Sequence, residues 1–212
     1  MAYSLDSITA DCYEGTTCLI NKLGIRDEAK LAEVEAAIVL AKASYIDLHP
    51  IPGRFDLSHL CAIHQYLFSD LYDWAGKLRT VNISKKSTSF LSADEIPRAA
   101  DACFARIHSI DFSSLSWDEF VSEVADFYST LNTIHPFREG NGRAQRSFFN
   151  LWLRSMNYEI DFSSIDQDLF MLATIRAAHG ISDYLIDLFD QHIDQREEQD
   201  IPIQGMDFEL RM

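Results

Sequence analysis

Two helix-like runs flank a short segment that cannot itself be helical, and that junction constrains the architecture of this chain more than any other feature. Ser116-Trp117-Asp118-Glu119 reads as a capping box, and Val121, Val124, Ala125, Tyr128 and Leu131 follow it at helical spacing. A second apolar run, with Ala144, Phe148, Phe149, Leu151, Trp152 and Leu153, begins near Arg143. The junction lies in residues 135–146, H-P-F-R-E-G-N-G-R-A-Q-R, whose last four residues open the second run. Pro136, Gly140 and Gly142 break helix there. Phe137, the only large apolar side chain between His135 and Gly142, is expected to plug the loop into the core.

The same segment holds a base, a carboxylate, a glycine-flanked asparagine and three arginines, the inventory for moving a phosphate-bearing group. Gly140-Asn141-Gly142 can turn successive N–H groups inward as an anion nest, opening a helix whose N-terminus also favours negative charge. Arg143 and Arg146, three apart, lie near one face of its first turn. His135 and Glu139 have the spacing of a zinc pair, but the helix breakers between and after them, and the lack of a second histidine, disfavour zinc. A plain glycine-rich turn leaves unexplained why three arginines gather in a chain of formal net charge −15. Neither G-x-x-x-x-G-K-(S/T) nor G-x-G-x-x-G occurs.

With 212 residues, 47% of them hydrophobic, the chain has the material for one sizeable core. Eighteen basic against 33 acidic residues argue against broad nucleic-acid or anionic-membrane binding. The positive charge gathers at Lys77, Arg79, Lys85, Lys86, Arg138, Arg143 and Arg146, a local site in an acidic shell. Cys12, Cys18, Cys61 and Cys103 form no C-x-x-C and read as reduced and buried, as in cytoplasm. No signal peptide or long apolar run indicates export or membrane insertion.

Most of the remaining chain reads as helix: 28–46 with Leu31, Val34, Ile38 and Ala41; 57–72 with Leu60, Ile63, Leu67, Phe68 and Leu71; a run from Ile96 through Ile107; then 165–177 and 183–193. His59 and His64 on the second are surface or core groups rather than ligands. Residues 78–90 differ. Thr80, Val81, Ile83, Thr88 and Phe90 are strand formers around a polar Ser84-Lys85-Lys86-Ser87. The residues alone leave a hairpin and a surface loop equally open.

The 135–146 segment matches, without a departure, the H-x-F-x-(D/E)-G-N-G-R-x-x-R signature of the Fic family of protein adenylyltransferases, and residues 51–90 resemble the helix and hairpin flap of its bacterial cell-filamentation branch. The resemblance covers most of residues 13–190. It implies an all-α Fic fold, a bundle of about eight helices with a β-hairpin flap over the active site. It implies a single domain over 1–193, with an acidic tail at 194–212. The implied reaction takes AMP from ATP to a Tyr, Ser or Thr hydroxyl of a target protein. His135, with a reference pKa of about 6.5, is the implied base. Glu139 is the implied Mg²⁺ ligand. Gly140, Asn141 and Gly142 cradle the phosphates, and Arg143 and Arg146 balance the β- and γ-phosphate charge. Lys85 and Lys86 approach the nucleotide from the flap. Val81, Ile83, Ser87, Thr88 and Phe90 dock an extended target segment by strand addition. Arg138, alternating with these side chains, is expected to face solvent.

Relatives by fold also transfer phosphate, UMP or phosphocholine, and kinase-like toxins carry Lys at the position of Gly142, so glycine there favours AMP. The alternative from another class is an interaction module without turnover, against which the intact His135, Glu139 and Arg146 argue. Family members are restrained by an (S/T)-x-x-x-E-(G/N) helix whose glutamate meets the last arginine of the motif. Glu14-Gly15 comes near, but Ala10 stands where Ser or Thr is needed, and Ser155 to Glu159 is followed by Ile160. The resemblance is therefore to toxins whose inhibitor is a separate small antitoxin, and type II topoisomerases are the targets it suggests.

Overall fold

The computed structural model describes residues 11–85 and 88–196. Helix α1 (Glu28–Leu48) is capped by Asp27, whose carboxylate accepts from the Lys30 N–H, and α2 (Leu57–Phe68) is capped likewise by Asp56. A short hairpin of β1 (Ser84–Lys85) and β2 (Thr88–Ser89) precedes α3 (Ile96–His108). Helix α4 (Trp117–Ile134) starts at the expected capping box, where Ser116 and Glu119 bond each other's backbone. Then come α5 (Asn141–Arg154), β3 (Tyr158–Ile160), α6 (Gln167–Ala178), α7 (Asp183–His192) and β4 (Ile193–Gln195). Seven α-helices and the flap hairpin among the described residues meet the all-α expectation.

Helix α5 is the centre of the bundle. It is buried on nearly every side, through Ala144, Gln145, Phe148, Phe149, Leu151, Trp152 and Leu153, and it packs on α1, α2 and α4. Phe148 meets Phe55, Phe104 and Phe127 edge to face, at 5.8 to 6.2 Å between ring centroids. The site segment is thus the N-terminal end of the best-packed helix in the fold.

Four expectations shift. The buried face of α1 is Leu31, Glu35, Val39 and Ile46, one position round from the Val34-Ile38-Ala41 stripe, so a carboxylate rather than an aliphatic group points inward. Helix α2 ends at Phe68, where Leu71 and Tyr72 N–H groups both turn back onto the Phe68 carbonyl. A second sheet appears: β3 pairs antiparallel with β4, Tyr158 opposite Gln195 and Ile160 opposite Ile193. Asn157, at φ 65°, makes the left-handed turn that starts it. The flap is shorter than residues 78–90, because the backbone of its legs bonds the body instead: Arg79 N–H donates to the Pro136 carbonyl (2.9 Å) and Leu91 N–H to that of Thr133 (3.2 Å). Of the acidic tail, residues beyond 196 lie outside the described residues, as do Lys86 and Ser87. No described helix is long and apolar enough to cross a membrane.

Candidate active site

A cleft of about 720 Å³ opens where the N-terminus of α5 meets α1, α6 and the stretch around Cys12 to Glu28. His135, Glu139, Gly140, Gly142, Arg143 and Arg146 all line it. The loop that brings them together is closed by Asn141. Its side chain accepts from the Phe137 N–H (2.8 Å) and donates to the Phe137 carbonyl (2.7 Å), while Phe137 is buried as expected. Gly140 is left-handed, φ 78°, and a Cβ there would fall 2.2 Å from Phe68 Cζ, so no side chain fits. Asn141 and Gly142 already belong to α5. The expected anion nest is therefore a helix N-terminus led in by one left-handed glycine. Its first N–H groups lack partners within the helix and point their partial positive charge outward.

His135 ends α4, also left-handed at φ 48°, with its N–H on the Leu131 carbonyl. Its Nδ1 lies 3.0 Å from the Asn132 carbonyl. A carbonyl only accepts, so Nδ1 carries the proton and Nε2 is the basic nitrogen. The ring stacks on Phe90 at 3.7 Å and 15°. Phe90 thus lies against the His135 ring, and Ile83, 3% exposed, faces the core, so strand addition here would rest on backbone groups. Val81 is half-buried, and for Lys85 and Thr88 only the backbone is described.

The arginines divide their tasks. Arg143 pairs with Glu35 of α1 and, at 3.3 Å, with Glu139, and Glu35 also accepts from the Tyr72 hydroxyl. Burial first, and Glu35 second, push the Tyr72 hydroxyl far above its ordinary value, so it remains a donor. Burial pushes the Tyr128 hydroxyl, beside Arg146, up to about 12. A Cβ on Gly142 would meet Arg146 Nη1 at 3.5 Å, ordinary contact. Arg138 does not face solvent: it is 4% exposed, 3.4 Å from Asp11, because the stretch before α1 folds across it. Glu139 offers one partly exposed carboxylate beside the helix N-terminus, and no cluster of three ligating side chains exists among the described residues. An oxygen donor of this kind suits Mg²⁺.

His64, treated above as a bystander, supports the loop from below. Its Nε2 lies 3.0 Å from the Glu139 carbonyl, its Nδ1 accepts from the Gly76 N–H at 2.9 Å, and its ring stacks on Phe137 at 3.8 Å. Burial first of all lowers its pKa to about 4. Between about pH 6.5 and 4 the unfolded chain therefore binds a proton that the folded chain refuses, and stability falls as pH falls through that window, by about 3 kcal/mol when complete. His64→Gln should flatten this part of the stability-against-pH curve in urea titrations. An unchanged slope would remove His64 as its origin.

Residues 54–153 match the model of the Fic/DOC family. The chain is 34% identical over 179 residues to the protein adenylyltransferase VbhT of Bartonella schoenbuchensis, a match covering 84% of this chain and 37% of VbhT. It is 32% identical over 187 residues to the probable protein adenylyltransferase Fic of Salmonella typhimurium, covering 88% and 92%. The chain belongs to the Fic family. The Fic-fold structure of BepC from Bartonella tribocorum, with bound AMPPNP, superposes with TM-score 0.80 at 29% identity over 88% of this chain and 97% of that one. The chain is an enzyme of the nucleotidyltransferase class for which its Fic relatives are named.

Four residues of this Fic site were not singled out in the sequence: Glu35, His64, Tyr72 and, as more than a positive charge, Arg79. Glu35 had a signal, a carboxylate four residues from both Leu31 and Val39 on one helix face. Tyr72 and His64 had none, since both sit in apolar runs that read simply as core.

Proposed function

We propose that the chain transfers AMP from ATP to a Tyr, Ser or Thr hydroxyl of a target protein. The observation that carries this is the placing of a basic His135 Nε2 on the same cleft as the N-terminus of α5 and Arg146. His135 Nε2 takes the hydroxyl proton, and the target oxygen bonds to the α-phosphorus. The bond from that phosphorus to the α,β-bridging oxygen breaks, and pyrophosphate leaves. The α5 N–H groups at Asn141, Gly142 and Arg143 receive the phosphate oxygens, and Arg146 meets the terminal phosphates. Arg143, held by Glu35 and Glu139, acts mainly by keeping Glu139 in place. Glu139 would hold Mg²⁺, which supplies charge neutralisation at the phosphates.

The flap docks the target through its backbone. The β1–β2 sheet is a two-stranded hairpin, the kind of element to which an extended target segment adds as a further strand. The decisive experiment incubates the chain with α-³²P-ATP and, in parallel, γ-³²P-ATP, in a lysate and with purified type II topoisomerase, the target class suggested by resemblance. Protein label from the α-form alone is expected. Label from the γ-form means phosphate transfer, and none from either leaves UMP or phosphocholine transfer, or an interaction module. With residues 84–89 replaced by a Gly-Ser turn, target KM should rise while ATP affinity holds; equal loss of both would place the flap at the nucleotide instead.

We further propose that the chain is the toxin of a pair whose small antitoxin supplies an inhibitory glutamate to Arg146. The cleft's lining includes the apolar side chains of Leu31, Ala32, Ala36, Phe162, Ile165 and Met171, chemistry that suits the apolar face of a partner helix. Neither rejected inhibitory segment is a helix: Glu14-Gly15 is a turn, and Ser155 to Glu159 runs from the end of α5 into β3. Expression of the chain alone should arrest growth, and co-expression with the adjacent short open reading frame should relieve it. Benign expression of the chain alone would overturn the toxin assignment.

A further inference from the structure

Arg79 is a buried cation, 4% exposed, that spends its guanidinium on backbone carbonyls. Nε donates to His135 (2.8 Å), Nη1 to Val81 (2.8 Å), and Nη2 to Leu91 and to Ile134 (3.2 Å). Its own N–H donates to Pro136 (2.9 Å). The four carbonyls belong to three segments: the rising leg of the flap, the returning leg, and the C-terminal end of α4. The last two carbonyls of α4 have no further helical donors and carry the negative end of its dipole, so a cation is favoured there. Charge alone does not account for the residue. A lysine would supply the charge, but its single head cannot span carbonyls on three sides, whereas the planar fork of arginine does.

This matters because His135 is left-handed, a conformation a non-glycine residue holds only when its surroundings impose it. Leu131 fixes its N–H, Asn132 its ring, and Arg79 its carbonyl. Through the same guanidinium the base is bonded to both legs of the flap, and Phe90, beside the returning leg, lies flat on its ring. Flap and base therefore share one hydrogen-bonded node.

We propose that Arg79 is a positioning residue that fixes the distance between a flap-docked target hydroxyl and His135 Nε2; this rests on the transfer function proposed above. Misplacement by about 1 Å costs on the order of a hundredfold in rate. In Arg79→Lys, kcat for target labelling should fall by at least about tenfold, with ATP affinity near that of the wild type and the variant still folded at the assay temperature. In Arg79→Ala, millimolar guanidinium should restore part of kcat, and equal sodium chloride should not. Hydrogen exchange reads the same coupling without turnover: in Arg79→Lys the amides of residues 79 and 91 should lose protection while those of α5 keep theirs. A wild-type kcat in Arg79→Lys overturns the proposal. So does a kcat that falls in step with ATP affinity and melting temperature, or loss of fold in both variants, since each leaves Arg79 as structural glue. If the wild-type chain labels nothing, the transfer function fails instead, and the exchange experiment still decides whether Arg79 couples flap to base.

Discussion

His135→Ala is expected to reduce target labelling by about 10²–10⁴-fold or more while leaving the chain folded. A tyrosine hydroxyl with a pKa of about 10 needs a base near neutral pH, and a serine or threonine needs one more. Among the histidines, only His135 belongs to the loop that meets the α5 N-terminus on the cleft. His64, the other histidine near the loop, has both ring nitrogens engaged, with Glu139 and Gly76, and its depressed pKa makes it a poor proton acceptor. Truncating His135 removes a half-buried ring whose described aromatic contact is Phe90, so the melting temperature should move by only a few degrees. ATP affinity, measured calorimetrically, should persist, because the α5 N–H groups and Arg146 are untouched. Labelling at the wild-type rate would show that another group takes the proton.

What the sequence revealed, and what it hid, divides along a physical line. The chemistry of residues 135–146 was legible because its glycines, proline and charged groups are interpretable only together and are adjacent in the chain. The capping box at Ser116 was legible for the same reason. The supports were hidden. Glu35, His64 and Arg79 act on the loop from 56 to 108 residues away in sequence, Tyr72 holds Glu35 from 37 residues away, and each bonds a group that becomes its neighbour only after folding. Arg138 was misread because alternation along a loop says nothing about which side the chain before α1 will cover. The flap was overextended because strand propensity at Thr80, Val81 and Ile83 describes half-buried backbone in general. Here the Arg79 and Leu91 N–H groups turn to Pro136 and Thr133 on the body, and the hairpin is confined to the Ser84–Ser89 and Lys85–Thr88 pairs with one further bond from the Phe90 N–H to the Ile83 carbonyl.

Gly140→Ala and Gly142→Ala, two neighbouring changes of one methyl group, are expected to separate widely. At Gly140 the left-handed φ of 78° costs an L-residue about 1–2 kcal/mol. The new Cβ would also lie 2.2 Å from Phe68 Cζ. That ring is fully buried, stacked against His64 at 4.6 Å and covered by the Arg143 guanidinium at 4.9 Å, so it has nowhere to turn. Overpacking of this kind costs a further 1–3 kcal/mol or so. The sum, about 2–5 kcal/mol, corresponds to a fall in melting temperature on the order of 10 °C. Since any relief must lift the loop away from Phe68, the α5 N–H groups lose their aim and ATP affinity should fall with it. At Gly142 the Cβ meets only the tip of Arg146, at 3.5 Å, and the residue lies in the first turn of α5. Alanine there should hold or raise stability, by up to about 1 kcal/mol. Any loss of activity would then come from the methyl group standing beside Arg146, where the terminal phosphates are proposed to lie. Thermal melts and ATP titrations of the two variants check this. Equal melting temperatures would mean that the close approach of Gly140 to Phe68 is not what seats the loop on the core.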